Sequence, residues 1–333
     1  LTSVHFDELL ETNNKMIKKV MKELFQLFES NKIKPIQISK YHISEAENTL
    51  KLMKKGIHTG KLILSVDDWV PEKQENELYI FDPNLYYIVT GGTGGLGIEL
   101  INWMYSRNAR KFILMSRSGN LNYRGNFVVN KLKSLGCSIT IEKIDITNQN
   151  ELIEFYNNNY YKVDGIFHLA GIIKDNMIDN MTEKDIELVL KPKVDGTKNL
   201  DLLSKNYNLR YFVMFSSISS LIGNVGQANY SAANSYMDKF SIKRKKLGLP
   251  STCINVGAIG GAGMIDRKIS KLMRSNGFNF IHFYEFFENM ARILQDFDAN
   301  NICISNQDLN ILYKNYPSLK MLEKHQTDEN NNV

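Results

Sequence analysis

The chain has 333 residues, 41 Lys and Arg against 36 Asp and Glu, a formal charge of +5, and 43% hydrophobic residues. That length allows one large domain, or one large and one small. The charge is too small and too dispersed for nucleic-acid binding, and no apolar run approaches the roughly 20 residues needed to cross a bilayer. No signal peptide is visible, and Cys137, Cys253 and Cys303 lie too far apart for a metal-ligand pattern. They are expected to be reduced, buried thiols in a cytoplasmic protein.

In chain order, Met16–Phe28 is amphipathic, with Ile17, Val20, Met21, Leu24, Leu27 and Phe28 at helical spacing. Ile36–Ile38 reads as a short strand. Ser44 with Glu47 reads as a capping box opening a helix that runs to about Lys55 and stops at Gly56. Leu62–Val66 reads as a strand. Residues 67–83 are acidic, polar and bounded by prolines, which suggests a linker.

From Tyr86 short apolar runs alternate with stretches long enough for a helix: YYIVT, KFILMS, SITIEKID, DGIFHLAG, RYFVMFSS, STCINVG and NICIS. Continuous apolar strands are buried on both faces, as in a parallel sheet. Right-handed crossovers then give an α/β fold, a Rossmann-like doubly wound sheet of about seven parallel strands behind a small α+β segment. The expected division is an N-terminal segment 1–70, a linker 71–83, a nucleotide-binding domain 84–305 and a polar tail 306–333. Within that tail, Asp328–Val333 has the composition of a disordered end.

The first strand of this pattern runs into Thr90-Gly91-Gly92-Thr93-Gly94-Gly95-Leu96-Gly97, and a helical stretch follows. Glycines allow a tight turn and close approach of backbone to phosphate, and the helix N-terminus supplies N–H groups and a positive dipole end. A strand before and a helix after make this a dinucleotide site. After the second strand the chain has Ser116-Arg117 rather than the acid expected of an NAD site, and a guanidinium there suits the 2′-phosphate of NADPH. Asp145, with Ile146 beside it, is placed to meet adenine, and Ala170-Gly171 to let the ribose pass. His168 reads as a core histidine.

The fifth strand ends in Ser216-Ser217, and Tyr230 follows thirteen residues beyond Ser217. Both fall at the carboxyl end of the sheet, where ligands bind in such folds. Together they resemble the carbonyl-polarising pair of a short-chain dehydrogenase/reductase. Asn234 stands where most members carry Lys, and Lys193 lies in KPKVDG on the preceding helix. With TGGTGGLG, SR, HLAG, KPKVDG, FSS, GQANYSAAN and NVGAIGGAGM in order over about residues 84–265, the chain resembles the ketoreductase domain of type I polyketide synthases and animal-type fatty acid synthases, in which the Lys and Asn positions are exchanged.

That resemblance implies reduction of a 3-ketoacyl thioester to a 3-hydroxyacyl thioester by NADPH. It makes Tyr230 the proton donor, Ser217 a second hydrogen-bond donor, Lys193 the cation that favours phenolate and holds the ribose, and Asn234 the group that positions the lysine or a relay water. At the two stereochemical positions of the family the chain reads Ile173-Lys174-Asp175 in place of LDD, and Ile222 in place of Trp. Asp175 is thus a substrate-side residue, and the product leans to the D-hydroxy form.

Residues 16–66 resemble the carboxyl end of a medium-chain enoylreductase, which precedes the ketoreductase in reducing synthases. The implied partners are an acyl carrier protein domain with a phosphopantetheine thioester, an enoylreductase and the structural half of the ketoreductase, with no nucleic acid or membrane. Two other readings stand beside this one, a catalytically silent scaffold or gene remnant and a free-standing reductase of small ketones. Gly263–Leu294 reads either as a cover over the substrate channel or as helices packed on the core.

Overall fold

The protein was analysed as a computed structural model that describes residues 14–65, 81–260, 271, 273–295 and 301–316. The chain divides into two compact units, Leu1–Asn76 and Glu77–Val333.

In the first unit, α1 (Asn14–Glu29) precedes a β–α–β element: β1 (Ile38–His42), α2 (Ala46–Lys55) and β2 (Lys61–Ser65). The two strands pair in parallel, Ile38 opposite Lys61 through His42 opposite Ser65. The strand expected at 36–38 therefore begins only at Ile38. The expected Ser44–Glu47 capping box is also displaced, because a 3-10 turn, Ile43–Glu45, opens before α2. His42 is its cap: Ser44 N–H donates to His42 Nδ1 at 3.3 Å, and His42 N–H donates to the Glu45 carboxylate at 3.2 Å. Gly56 ends α2 at φ +65°, a left-handed conformation that glycine adopts without a side-chain clash.

The second unit is built on seven parallel strands: β3 (Tyr86–Thr90), β4 (Lys111–Ser116), β5 (Ser138–Lys143), β6 (Val163–His168), β7 (Tyr211–Ser217), β8 (Thr252–Val256) and β12 (Asn301–Ile304). Their order in the sheet is β12-β8-β7-β6-β3-β4-β5, so the chain winds outward from β3 to one edge and then from β6 to the other. All seven anticipated strands are present, and they are parallel at every pairing. The crossovers carry α3 (Gly95–Ser106), α4 (Tyr123–Ser134), α5 (Gln149–Asn158), α6 (Glu183–Ser204), the single turn α7 (Ser219–Ile222) and α8 (Ala228–Lys246). One apolar core lies on each face of the sheet: Val89, Leu100, Phe112, Leu114, Val213 and Ile254 belong to one, and Ile88, Ile113, Ile166, Phe212, Met214 and Met237 to the other. This is the doubly wound arrangement that buried strands require.

Three expectations fail here. Phe81 was assigned to the linker, but it is fully buried and makes edge contacts with Tyr87, Trp103, Phe167 and Tyr211, so the unit includes residues before 84. The part of that stretch from 67 to 80 lies outside the described residues. The first part of the supposed polar tail is folded: β13 (Asn306–Gln307) pairs with β10 (Phe278–Asn279), beside a second short pair of β9 (Ile259–Gly260) with β11 (Ile281–His282), and α10 (Leu309–Asn315) buries Leu312. Asp328–Val333 lies outside the described residues. Cys303 is exposed, unlike Cys137 and Cys253, because alternation along the edge strand β12 turns Ile304 inward and leaves Cys303 out. In the stretch Gly263–Leu294, α9 (Phe283–Gln295) packs on the core through Phe286, Phe287, Met290 and Leu294. That favours the core reading for its described part.

No helix among the described residues is long and apolar enough to cross a membrane. They contain no group of three or more His, Cys, Asp or Glu arranged to hold a metal ion.

Candidate active site

The carboxyl ends of β3, β4, β5 and β6 open onto a cleft of about 740 Å³. It lies at the switch point where the chain turns from β3 toward the two edges, the place where such sheets bind ligands. The turn between β3 and α3 forms one wall. Gly91 has φ +67°, and a Cβ on it would stand 3.0 Å from the Ala170 nitrogen of the next strand's loop. A Cβ on Gly97 would stand 2.7 Å from the Gly91 oxygen, so α3 can start this close to the turn only with glycine there. Gly94 and Gly95 are exposed on the cleft side, and a Cβ on Gly95 would meet nothing within 4 Å. The turn is therefore a cradle open toward the cleft, ahead of the first free N–H groups of α3.

Of the residues expected to touch the cofactor, Gly91, Thr93, Gly94, Gly95, Leu96, Gly97, Ser116, Arg117, Asp145, Ile146, Ala170 and Gly171 line this cleft. Thr90 and Gly92 do not. Thr90 is buried, and its hydroxyl is hydrogen-bonded to His168 Nδ1 at 2.7 Å. Gly92 is pressed against β4, where a Cβ would stand 3.0 Å from Leu114. Both pack within the strand and turn, behind the cleft wall. Asp145 already accepts from the Thr147 N–H and hydroxyl at 2.9 and 2.8 Å, which fixes the loop after β5. Ser118, Thr147, Ile172, Leu188, Lys191 and Pro192 also line the cleft and were not anticipated. They come from loop and helix positions whose orientation the pattern of apolar residues does not fix.

His168 is buried beside Lys193, and desolvation followed by that positive neighbour pushes its pKa down to about 3. It is the neutral core histidine expected.

The reacting groups converge beyond the end of β7. Ser217 closes that strand and accepts hydrogen bonds from the Ser219 N–H and hydroxyl at 3.2 and 3.0 Å. Tyr230 lies in the first turn of α8. Gly226, at φ +79°, and the Asn176 N–H bond to the Gly226 carbonyl at 2.9 Å hold the entry to that helix. Lys193 reaches the same place from α6: it is 3% exposed, its ammonium donates to the Phe215 carbonyl at 3.0 Å, and Nζ lies 5.6 Å from the centre of the Tyr230 ring. Gly171 leaves room for it, since a Cβ there would stand 3.0 Å from Lys193 Cε. Asn234 is fully buried one turn after Tyr230; its amide donates to the Tyr230 carbonyl at 2.8 Å, and its Oδ1 has no partner among the described residues.

Burial raises the Tyr230 pKa, while the side chains of Asn234 and Ser217 pull it back toward the phenolate. Burial lowers the Lys193 pKa to about 8, with the neighbouring Cys253 and Asp238 acting the other way. At neutral pH the pair is thus a protonated phenol beside an ammonium, an acid and the cation that would stabilise its conjugate base. Asp175 stands at the rim, exposed, and its carboxylate accepts twice from the Gln227 amide at 3.0 and 3.1 Å.

The sequence profile of the KR domain matches residues 86–261. The chain belongs to the KR domain family. KR domains are oxidoreductases of the short-chain dehydrogenase/reductase type that reduce ketones with a nicotinamide cofactor. Among curated proteins, the chain is 30% identical over 303 residues to the highly reducing polyketide synthase PKS6 of Gibberella zeae, covering 88% of this chain and 12% of that protein. It is 32% identical over 289 residues to the reducing polyketide synthase PKS1 of Cochliobolus heterostrophus, covering 84% and 11%. The KR domain and its flanks thus span about a tenth of the length of these relatives. Among solved structures, a ketoreductase domain from the bacillaene assembly line matches with 27% identity and TM-score 0.64, covering 71% of this chain and 60% of that one. An A1-type ketoreductase at 24% identity and TM-score 0.67, covering 72% and 52%, shares the fold.

Proposed function

We propose that the chain is the catalytic ketoreductase segment of a multidomain reducing synthase, and that it reduces a carrier-bound 3-ketoacyl thioester to the 3-hydroxyacyl thioester with NADPH. The observation that carries this reading is the meeting of Tyr230, Ser217 and Lys193 behind Gly171, which lines the cleft together with the glycine cradle and Arg117. A silent scaffold would have no reason to keep a buried, energetically costly lysine against that tyrosine.

The cleft fits a dinucleotide. Gly94, Gly95 and the first N–H groups of α3 would take the pyrophosphate, Arg117 with Ser116 the 2′-phosphate, Asp145 and Ile146 the adenine side, and Ala170-Gly171 the ribose. When bound, NADPH supplies hydride. The chain's own residues manage the carbonyl oxygen. Tyr230 gives it a proton, and Ser217 gives a second hydrogen bond aimed at the charge that grows there. Lys193 stabilises the phenolate left on Tyr230. Asn234, with its amide committed to the Tyr230 carbonyl, offers Oδ1 as an acceptor for the lysine or for a relay water.

Asp175, held by Gln227 at the rim, would contact the substrate and favour the D-hydroxy product. The N-terminal unit would be the carboxyl end of an enoylreductase-like domain, with a carrier domain and the structural half of the ketoreductase as further partners of a cytoplasmic synthase. Its β–α–β element and the reach of the alignments beyond residues 86–261 support that placement. The test is loss of nicotinamide absorbance when the purified chain meets NADPH and a 3-ketoacyl N-acetylcysteamine thioester. Turnover that Tyr230→Phe abolishes supports the reading. Cofactor binding without turnover, even on carrier-bound substrate, overturns it in favour of a scaffold.

A further inference from the structure

Directly behind the reacting groups lies a carboxylate that the mechanism above does not use. Asp238 sits on α8 two turns after Tyr230 and one turn after Asn234, and it is 6% exposed. Its carboxylate accepts the Ser220 hydroxyl at 2.6 Å, the Asn255 amide at 3.0 and 3.1 Å, and the Cys253 thiol at 3.3 Å. These donors come from α7 and from β8. The same Asn255 amide reaches the Ser220 and Ser216 hydroxyls at 2.8 and 3.2 Å, and the Ser216 hydroxyl donates to the Asn234 carbonyl at 3.3 Å. One buried anion thus ties the helix of Tyr230 to the turn of Ser217.

No Lys or Arg forms a salt bridge with Asp238 among the ion pairs of the described residues. A buried carboxylate held only by neutral donors is costly unless a cation lies within its field. Two buried cations lie on this side of the sheet: Arg244, which is paired with Asp201, and Lys193, which forms no salt bridge among the described residues. The groups that face Lys193 are His168 from β6, the Phe215 carbonyl from β7, Cys253 from β8, and Tyr230 and Asp238 from α8. His168 is neutral, Cys253 is a thiol whose own pKa is raised well above its usual value, and Tyr230 is a phenol. Asp238 is therefore the formal negative charge in that set.

We propose that Asp238 is the positioning residue of the active site: it holds the Ser217 turn against the helix of Tyr230 and is the counter-charge that keeps Lys193 cationic. The inference rests on Lys193 being the catalytic cation. Asp238 touches neither the ketone nor the cofactor, and its effect passes through Lys193 and the serine turn. The spacing Tyr230, Asn234, Asp238, four residues apart, places the three on one helical face.

The test reads Lys193 itself and needs no turnover, so its failure is distinct from failure of the proposed reaction. In protein carrying ¹³Cε-labelled lysine, the signal that Lys193→Met removes is assigned to Lys193, and its shift is followed against pH. In Asp238→Asn the midpoint is expected about one pH unit lower than in the wild type. In Asp238→Glu, which keeps the charge, it is expected to stay within about 0.3 units, well inside the effect of a lost neighbouring charge. If Asp238→Asn does not fold, Asp238→Asn combined with Asn255→Asp returns the carboxylate to the same hydrogen-bonded pair and should restore both fold and midpoint. An unmoved midpoint in folded Asp238→Asn, or a lowered one in Asp238→Glu or in the swapped pair, overturns the proposal.

Discussion

Lys193 Nζ lies 5.6 Å from the centre of the Tyr230 ring, although the two residues sit on different helices. Burial sets the Lys193 pKa at about 8 and raises that of Tyr230. The active pair, ammonium beside phenol, is complete at neutral pH and loses its cation as pH rises through about 8. Turnover at saturating cofactor is therefore expected to fall along an alkaline limb centred near that value. A profile flat to about pH 10, the range of an unperturbed lysine, would contradict the assignment.

The same burial makes Lys193 a liability to the fold. Its folded pKa lies below its unfolded one, so the unfolded chain binds more protons between about pH 8 and 10.5, and stability contributed by this group rises with pH across that window. Below it the full cost applies, about 3 kcal/mol at pH 7 from the two values. Part of this is offset by the hydrogen bond to Phe215. Lys193→Met removes that cost but leaves Asp238 without its counter-charge, so it is expected to lose no more than about 2 kcal/mol in urea denaturation at pH 7, while turnover falls by about 100-fold or more. A loss of more than about 2 kcal/mol would mean that the cation holds the structure together rather than serving the reaction.

The glycine turn separates two roles that its motif merges. A methyl on Gly97 would collide with the backbone of Gly91 and Gly92 at 2.7 Å, whereas one on Gly95 would project into open cleft. Gly97→Ala should therefore destabilise the fold itself, by about 1–3 kcal/mol. Gly95→Ala should leave the melting temperature unchanged or slightly raised, since alanine suits a helix better than glycine. It should nonetheless weaken NADPH binding about 10-fold or more by filling the path of the pyrophosphate. Calorimetric binding and thermal melts on the two variants would distinguish these outcomes, and equal binding by Gly95→Ala and wild type would sink the placement of the phosphates.

Much of this arrangement was readable before any coordinates. Strands such as KFILMS and RYFVMFSS are apolar on both faces, and only a sheet covered on both sides accepts them. Ser217, Tyr230 and Asn234 stand out because their spacing links a strand end to a helix start. Lys193 did not follow from spacing alone; it came from the resemblance carried by KPKVDG. Asp238 was not legible, because an aspartate in a polar helix reads as solvated until the face turned to the sheet is known. Its four-residue step from Asn234 was the available signal. That Thr90 and Gly92 stand behind the cleft wall was not legible, because the motif does not show which of its residues face a neighbouring strand.

Arg117 stands exposed at the end of β4, on the wall of the cleft. A guanidinium there distinguishes the cofactors only through the 2′-phosphate. Arg117→Ala is expected to weaken NADPH by about 10- to 100-fold and NADH by less than about 3-fold, the range of one charge-assisted phosphate contact. Because the site is open to solvent, the wild-type preference should shrink as ionic strength rises. Equal weakening of the two cofactors, measured by fluorescence titration, would remove Arg117 from the phosphate.

Phe81 tests where the reductase unit begins. It lies in a stretch that reads as linker, yet it is fully buried among four aromatic rings, and its N–H donates to the Arg107 carbonyl at 2.8 Å. The following residue joins the same structure, since the Tyr87 hydroxyl accepts from the Asp82 N–H at 2.9 Å. The segment thus plugs the end of the sheet opposite the cleft, beneath the start of β3. Phe81→Ala should cost about 3–5 kcal/mol, the usual range for emptying an aromatic site in a core, with no change in cofactor preference. A chain begun at residue 77 should melt like the second unit of the intact protein, whereas one begun at residue 84 should melt lower by at least about 10 °C. If the shorter chain were equally stable, the ring would be an ornament on the sheet and the boundary read from composition alone would stand.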